Sequence, residues 1–367
     1  MLNKLTVVLT IKGRSEFTMR WMAYMNSVQC KFKILIADGG DDVSLQRHLE
    51  SKNYYPNLNY DYFKYPFDAS LADYYKKICD VTDKVVSPYI LYADNDDFFI
   101  LDNIGEYIRF LDNNADYVCC GGSNAALSIY SRSNQVLNAS AGNYFNIRFD
   151  KIDPFAIKSE SKVERICEFF KSVESKRLWF IWYDIQRTSV VKFTHEYIKK
   201  HEFKDVVSLE IYKNLSLLLL GKSKRFDSIF YVRQVGSSQT SAALDKEANV
   251  IERFIRISAF QEILEGLIFL DKSILNNYED VLRAFSFWLA QKGMILYFSP
   301  ETKVRVFINN IPFISRHFVI LNSLIRWLYL ARNLISSRKV YFLNIKSIER
   351  FISSKNQTNV VAEANEL

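Results

Sequence analysis

Short β-rich apolar runs alternate with helix-length stretches through the first third of the chain, and this alternation restricts the fold more than any other feature. Leu5 to Ile11 (LTVVLTI) reads as a strand, followed by Lys12-Gly13-Arg14 and a helical stretch from Glu16 to about Val28. Lys33 to Ala37 is a second strand, ending at Asp38-Gly39-Gly40, and Asn59 to Phe63 a third. Ala69 to about Val81 reads as helix, and Tyr89 to Ala93 (YILYA) as a buried strand that stops at Asp94. Asn103 to Asn113 is helical and Asp116 to Cys120 strand-like. A β-α-β-α order predicts an α/β fold with a mostly parallel sheet and helices on both faces. Ligands of such sheets bind beyond the carboxyl ends of the strands. Asp38 and the cluster Asp94 to Asp97 are therefore expected on one rim.

The rest of the chain is read more coarsely. Signals weaken over 122–176, which is expected to be a long, partly irregular segment. Leu178 to Ile185 is aromatic and strand-like, and Val206 to Leu220 has helical length and ends at Gly221-Lys222, with glycine past the C-terminus. Ser228 to Val232 reads as a strand. The small polar stretch Gly236 to Ala242 marks a domain boundary at 242. Residues 243–355 read as an α-helical C-terminal region and 356–367 as a disordered tail.

Composition narrows the class. With 49% hydrophobic and 24% charged residues, 367 residues suit one large domain plus a smaller appendage. The net charge of +7 is uneven: ten of the 48 Lys/Arg but four of the 41 Asp/Glu lie between Glu301 and Leu367, leaving 38 against 37 in the first 300 residues. That pattern argues against a nucleic-acid footprint and for a basic tail that visits an anionic surface. Five cysteines in apolar settings, without metal-ligand spacing, fit a reducing compartment. No signal-like segment and no long uncharged apolar window stands out, so a cytoplasmic location is expected, with a peripheral place on the inner face of the cytoplasmic membrane as an extension of it.

Asp94-Asn95-Asp96-Asp97 carries the chemistry. Three carboxylates in four residues at a strand end repel one another, and a divalent cation with hard oxygen ligands, Mn²⁺ or Mg²⁺, would account for the grouping. An acidic turn capping the next helix is the plainer alternative.

At this point the sequence resembles a family. Val85-Val86-Ser87-Pro88-Tyr89 leading into Tyr89-Ile90-Leu91-Tyr92-Ala93-Asp94-Asn95-Asp96-Asp97-Phe98 is similar to the strand and acidic motif of GT-A glycosyltransferases, family-2-like enzymes and a related bacterial surface-polysaccharide group with an ADxDD motif. The resemblance implies a GT-A, Rossmann-like catalytic domain over 1–242, with a nucleotide-sugar half at about 1–122 and an acceptor half at about 123–242. It implies that Asp94 approaches the ribose, that Asp96 ligates the metal, and that Asp97 is a neighbouring ligand. Ile11-Lys12-Gly13-Arg14 resembles the first-strand turn packing on the nucleoside; the Arg is kept, the usual Tyr and Asn are not. Phe32 to Gly39 resembles the second strand, implying that Asp38 hydrogen-bonds the base. Leu209-Glu210 through Gly221-Lys222 to Tyr231-Val232-Arg233-Gln234 resembles the segment holding the catalytic base, which implies Glu210 in that role, with Asp205 as its rival. An inverting transfer needs such a carboxylate to take the acceptor's proton; a retaining outcome stays open, and so does Glu210 as a first-turn helix acid.

Further candidates follow from the same comparison. Lys76 and Lys77 stand where related enzymes have a basic residue facing the nucleotide, although a solvated helix face fits as well. Arg233 could reach a leaving diphosphate. Arg187, in Tyr183-Asp184-Ile185-Gln186-Arg187, resembles an acceptor-side segment, and Asp184 goes with it. The four histidines (His48, His195, His201, His317) are expected on helix surfaces. Ser315 to Ser337 forms a basic helix with a wide apolar face, and 315–339 fits either a membrane interface or packing on the catalytic domain or on a second copy in a homo-oligomer.

The function expected is transfer of a sugar from a nucleotide-sugar donor to a glycan or a polyprenyl- or lipid-linked acceptor in bacterial cell-surface polysaccharide synthesis. Two alternatives remain. A sugar-1-phosphate nucleotidyltransferase would want a Gly-rich basic loop, of which Lys12-Gly13-Arg14 is a thin version. An idle membrane-associated scaffold would have no use for Asp94, Asp96 and Glu210.

Overall fold

The computed structural model describes residues 2–130, 146–152, 156–171, 178–203, 206–234 and 257–285, together with Ile348 and Phe351. Its centre is a nine-stranded sheet in the order β3-β2-β1-β4-β8-β6-β9-β5, with β7 on β6. The strands are β1 Leu5–Ile11, β2 Lys33–Asp38, β3 Asn59–Lys64, β4 Tyr89–Ala93, β5 Phe98–Phe99, β6 Tyr117–Tyr130, β7 Asn146–Ile152, β8 Ile185–Arg187 and β9 Lys222–Gln234. β1 pairs in parallel with β2 and β4, β2 with β3, and β6 with β9. β8 runs antiparallel between β4 and β6, so β6 and β9 point the same way as β1 to β4; β5, β7 and β8 point back. The fold is thus α/β around a sheet whose strands mostly share one direction.

Helices cover both faces. They are α1 Ser15–Ser27, α2 Val43–Glu50, α3 Leu71–Asp83, α4 Ile104–Asn113, α5 Lys162–Lys171, α6 Thr188–Ile198, α7 Val206–Leu220 and α8 Ile257–Leu270. One core joins α1, α2 and α4 to the sheet through Trp21, Met25, Leu45, Tyr107 and Leu111. The other joins α3, α5, α6, α7 and α8 through Ile78, Phe169, Val191, Leu215 and Leu267. β1 and β4 are buried almost along their whole length, as expected of interior parallel strands covered on both faces.

Several elements differ from the sequence reading. The segment 122–176 is more regular than expected: β6 continues to Tyr130, and β7 and α5 follow. Leu178–Tyr183 is a 3-10 turn rather than a strand, with Trp182 packed into the core on the α7 side and Tyr183 against both cores. α2 and α6 were not anticipated. Residues beyond 243 share the cores just described, Ile263 and Leu267 on one face and Ile348 with Phe351 on the other. The boundary at 242, Asp205, the segment 315–339 and the tail 356–367 lie outside the described residues. Among the described residues no helix is long and apolar enough to cross a membrane.

Candidate functional site

From β1 the chain steps outward to β2 and β3 and then returns as β4 on the other side of β1. This reversal opens a crevice at the carboxyl ends of β1 and β4. Leu9 is level with Ala93, so the turn after β1 and the acidic segment after β4 emerge side by side. Gly13 (φ 63°) and Arg14 (φ 57°) are both left-handed. Glycine adopts that region freely, while for Arg14 it costs roughly 1–2 kcal/mol. The turn aims the Arg14 guanidinium at the acidic segment, with Nη2 2.8 Å from Asp96 Oδ2.

Asp94, Asp96 and Asp97 converge, each offering an oxygen within 4.8 Å of the others. Tyr183 donates to Asp94 Oδ2 at 2.6 Å. Tyr231 donates to Asp97 Oδ2, and the Gln234 amide donates to Asp97 Oδ1 at 2.8 Å. The two tyrosine rings stack, with centroids 4.8 Å apart and planes within 7°, so one aromatic pair holds two carboxylates. Arg20 is buried between Phe17 and Phe98 and donates to the Asp96 carbonyl at 2.9 Å and to Gln234 Oε1 at 2.8 Å. Asn95 turns away and donates to Thr18 Oγ1 at 3.0 Å.

Electrostatics follow this crowding. Burial first, and the Asp96 charge second, push Asp94 above its ordinary value. The same causes raise Asp97 further. Burial opposes the Arg233 charge, but Tyr231, Asp97, Tyr183 and Asp94 outweigh it and hold the guanidinium charged. An all-oxygen donor set of converging carboxylates suits a hard divalent cation. Asp94 and Asp96 are the ligand candidates. Asp97, with both oxygens engaged by Tyr231 and Gln234, is better placed to hold the turn.

Glu210 stands on α7, half-buried, and its charge and that of Asp94 both bear on Tyr74, Tyr183 and Lys213. Lys213, one turn on, is 3% exposed. Burial pulls it down to about 8 against the opposing pull of Glu210 and Asp94. Tyr74, Tyr183, Trp182, Lys213, Tyr231 and Arg20 all belong to this assembly and were not singled out in the sequence. For Lys213 a signal existed: it and Glu210 are the two charged residues of a fifteen-residue, leucine-rich helix.

Other expected site residues sit elsewhere or do other work. Asp38 is 1% exposed; its oxygens accept from the Gly40 amide at 2.7 Å and from Tyr62 at 2.6 Å, and Lys64 lies 3.5 Å away, so it fixes the turn after β2. Ile11 contributes its carbonyl, which accepts from Lys77 at 2.9 Å and from the Gly39 amide at 3.0 Å. Lys77 also pairs with Asp68, whose carboxylate lies where a Cβ on Gly39 would be. Lys77 therefore faces the strand ends, while Lys76, a 100° helical step away, points to solvent beside Cys79 and Lys199. Lys76 is corrected to a surface residue.

Asp184 and Arg187 are also corrected. Asp184 is buried in an ion pair with Arg225, behind Gly121 of β6. Arg187 is level with Tyr89, at the opposite end of β4 from Asp94. There it donates to the carbonyls of Leu111 (2.6 Å), Asn114 (2.9 Å) and Tyr117 (2.8 Å), closing the C-terminus of α4. His195, expected on a surface, is fully buried and stacked near Trp182. The described cysteines are free, with Cys30, Cys79, Cys119 and Cys120 buried.

No protein-family model and no curated protein sequence matches the chain. Solved structures with a related outline include S. aureus TarS 1-349, at 10% identity and a TM-score of 0.40, covering 79% of this chain and 91% of that one. The same S. aureus fragment in complex with UDP-GlcNAc gives 12% identity and 0.40 over 78% and 80%. The bifunctional IspDF from Campylobacter jejuni gives 11% and 0.30 over 61% and 50%. At such TM-scores the likeness says nothing about activity, and the chemistry must come from this chain's own residues.

Proposed function

We propose that the chain is a glycosyltransferase that takes a sugar from a nucleoside-diphosphate donor, with the donor lying in the crevice between β1 and β4. The convergence of Asp94, Asp96 and Asp97 at that crevice carries the reading, with Glu210 near enough for its charge and that of Asp94 both to act on Tyr183. Asp94 and Asp96 would hold Mn²⁺ or Mg²⁺, which supplies charge neutralisation for a diphosphate. Arg14 and Arg233 add positive charge on the same rim, where it would meet the negative charge that develops on a leaving diphosphate. Glu210 takes the proton from the acceptor hydroxyl as that oxygen attacks the anomeric carbon. Tyr183 and Tyr231 keep Asp94 and Asp97 oriented through their hydroxyls.

A glycan or lipid-linked acceptor, a place in cell-surface polysaccharide synthesis and a cytoplasmic or inner-face location belong to the same proposal. They rest on the resemblance of the acidic segment and on the basic stretch 315–339. The test is a thermal-shift panel of UDP-, GDP-, CMP- and dTDP-sugars with and without Mn²⁺. A ligand that binds the native state raises the melting temperature by mass action. One nucleoside-diphosphate sugar should do so only with Mn²⁺, and Asp96→Asn should abolish the response. A shift from a CMP-sugar independent of metal, or an unchanged Asp96→Asn, overturns the assignment.

A further inference from the structure

Trp182 joins the helix that carries Glu210 to the strand that leads into Asp94. Its indole stacks on Tyr92 of β4, with centroids 4.5 Å apart and planes within 15°. Tyr92 lies two residues before Asp94. On the α7 side, Lys213 Nζ lies 3.6 Å from the centroid of the Trp182 ring system. Asn214, the next residue, grips the backbone: its Oδ1 accepts from the Trp182 amide at 3.1 Å, while its Nδ2 donates to the Glu210 carbonyl at 2.6 Å. Tyr183 then donates to Asp94. An unbroken series of contacts thus runs from the main chain at Glu210 through Asn214, Trp182 and Tyr183 to the Asp94 carboxylate.

Core packing alone does not call for this arrangement. Lys213, Trp182 and Asn214 are 3%, 5% and 1% exposed. Burying an ammonium costs more than a cation–π contact returns, so a leucine or methionine at 213 would pack at lower cost. A lysine there does two things at once: its charge meets those of Glu210 and Asp94, and its ammonium fixes the indole against the helix that carries Glu210.

We propose that Trp182 is a positioning residue which, held by Lys213 and Asn214, sets Glu210 relative to Asp94 so that the proton acceptor and the donor carboxylates move as one unit. This rests on the glycosyl-transfer reading above. The test compares the full-length wild type with Trp182→Phe, Lys213→Met and Lys213→Arg. Kinetics use whichever UDP-, GDP-, CMP- or dTDP-sugar most raises the wild-type melting temperature with Mn²⁺, and nucleotide release is measured.

Trp182→Phe should lower kcat by about tenfold or more while donor KM stays within about twofold, because a small misplacement costs rate before it costs binding. Lys213→Arg should recover most of what Lys213→Met loses. An unchanged kcat overturns the proposal, and so does a loss of kcat and donor binding in step with the melting temperature. Crystal structures of wild type and Trp182→Phe judge it without any activity: Glu210 should shift from Asp94 by about 1 Å, a displacement large enough to matter for transfer. An unchanged separation overturns the role of Trp182. A wild type that responds to none of the four nucleotide sugars overturns the glycosyl-transfer reading instead.

Discussion

Two groups of buried carboxylates in this molecule are held in different ways. Asp184 meets Arg225 and Asp68 meets Lys77, one cation to one anion, with all four side chains at most 6% exposed. At the crevice, Asp96 pairs with Arg14, but Asp94 and Asp97 are gripped by neutral donors: two tyrosine hydroxyls and one backbone amide. In pairs of the first kind a single cation meets the carboxylate directly, although one oxygen of Asp184 and one of Asp68 stay without a hydrogen-bond partner. At the crevice, neutral donors orient the oxygens of Asp94 and Asp97, and the Arg233 charge offsets only part of theirs. The contrast separates carboxylates closed off in ion pairs from the carboxylates of the proposed donor site.

Removing one partner of a buried ion pair gives the largest expected effect. Asp184→Ala leaves Arg225 buried without its anion and should cost about 3–5 kcal/mol in urea unfolding. The double change Asp184→Leu with Arg225→Met should recover most of that loss. A single variant as stable as wild type would mean that Asp184 is not the structural partner it is taken to be.

His195 examines the same rule with a basic group. Burial, then the Lys213 and Lys199 charges, lower it to about 3 from its ordinary 6.5, and neither ring nitrogen has a hydrogen-bond partner. The folded state therefore favours the neutral ring. Its contribution to stability is present above pH 6.5 and is lost as the pH falls toward 3. Between pH 6.5 and 5 this amounts to about 1.6 kcal/mol. His195→Phe should flatten that part of the pH–stability curve, and an unchanged slope would show that another group titrates there.

Asp94 gives the smallest effect and one of opposite sign. Its folded value lies above 3.8, so the stability linked to it is present at low pH and lost as the pH rises. At pH 7 without divalent metal, Asp94→Asn should stabilise the chain. With Mn²⁺ added, the order should reverse, because wild type then gains binding energy that the variant lacks. A variant less stable in both conditions would place Asp94 with Asp184, among the carboxylates of the fold.

Much of the parallel half was legible from residue pattern. β1, β2 and β4 are apolar runs bounded by turn residues, and their strand ends supplied Asp38 and Asp94 to Asp97. The second half was harder to read. β6 and β9 mix polar with apolar residues because each crosses from core to rim, and Leu178–Tyr183 has strand-like composition yet folds as a turn. Arg187 looked like a site residue from its neighbourhood in sequence, but the antiparallel register of β8 carries it to the far end of β4.

By itself, the sequence determined the α/β alternation, the acidic segment at the end of β4 and the presence of Glu210 on an apolar helix. These are local matters, set by hydrophobic period and by residue type at a strand end. Which carboxylates share a crevice and which are closed off in ion pairs was decided only in the tertiary structure. So was the grip of Tyr183, Trp182 and Lys213 on the site. Those contacts join residues tens to more than a hundred positions apart, and burial, which sets their charge and reach, exists only once the layers have packed.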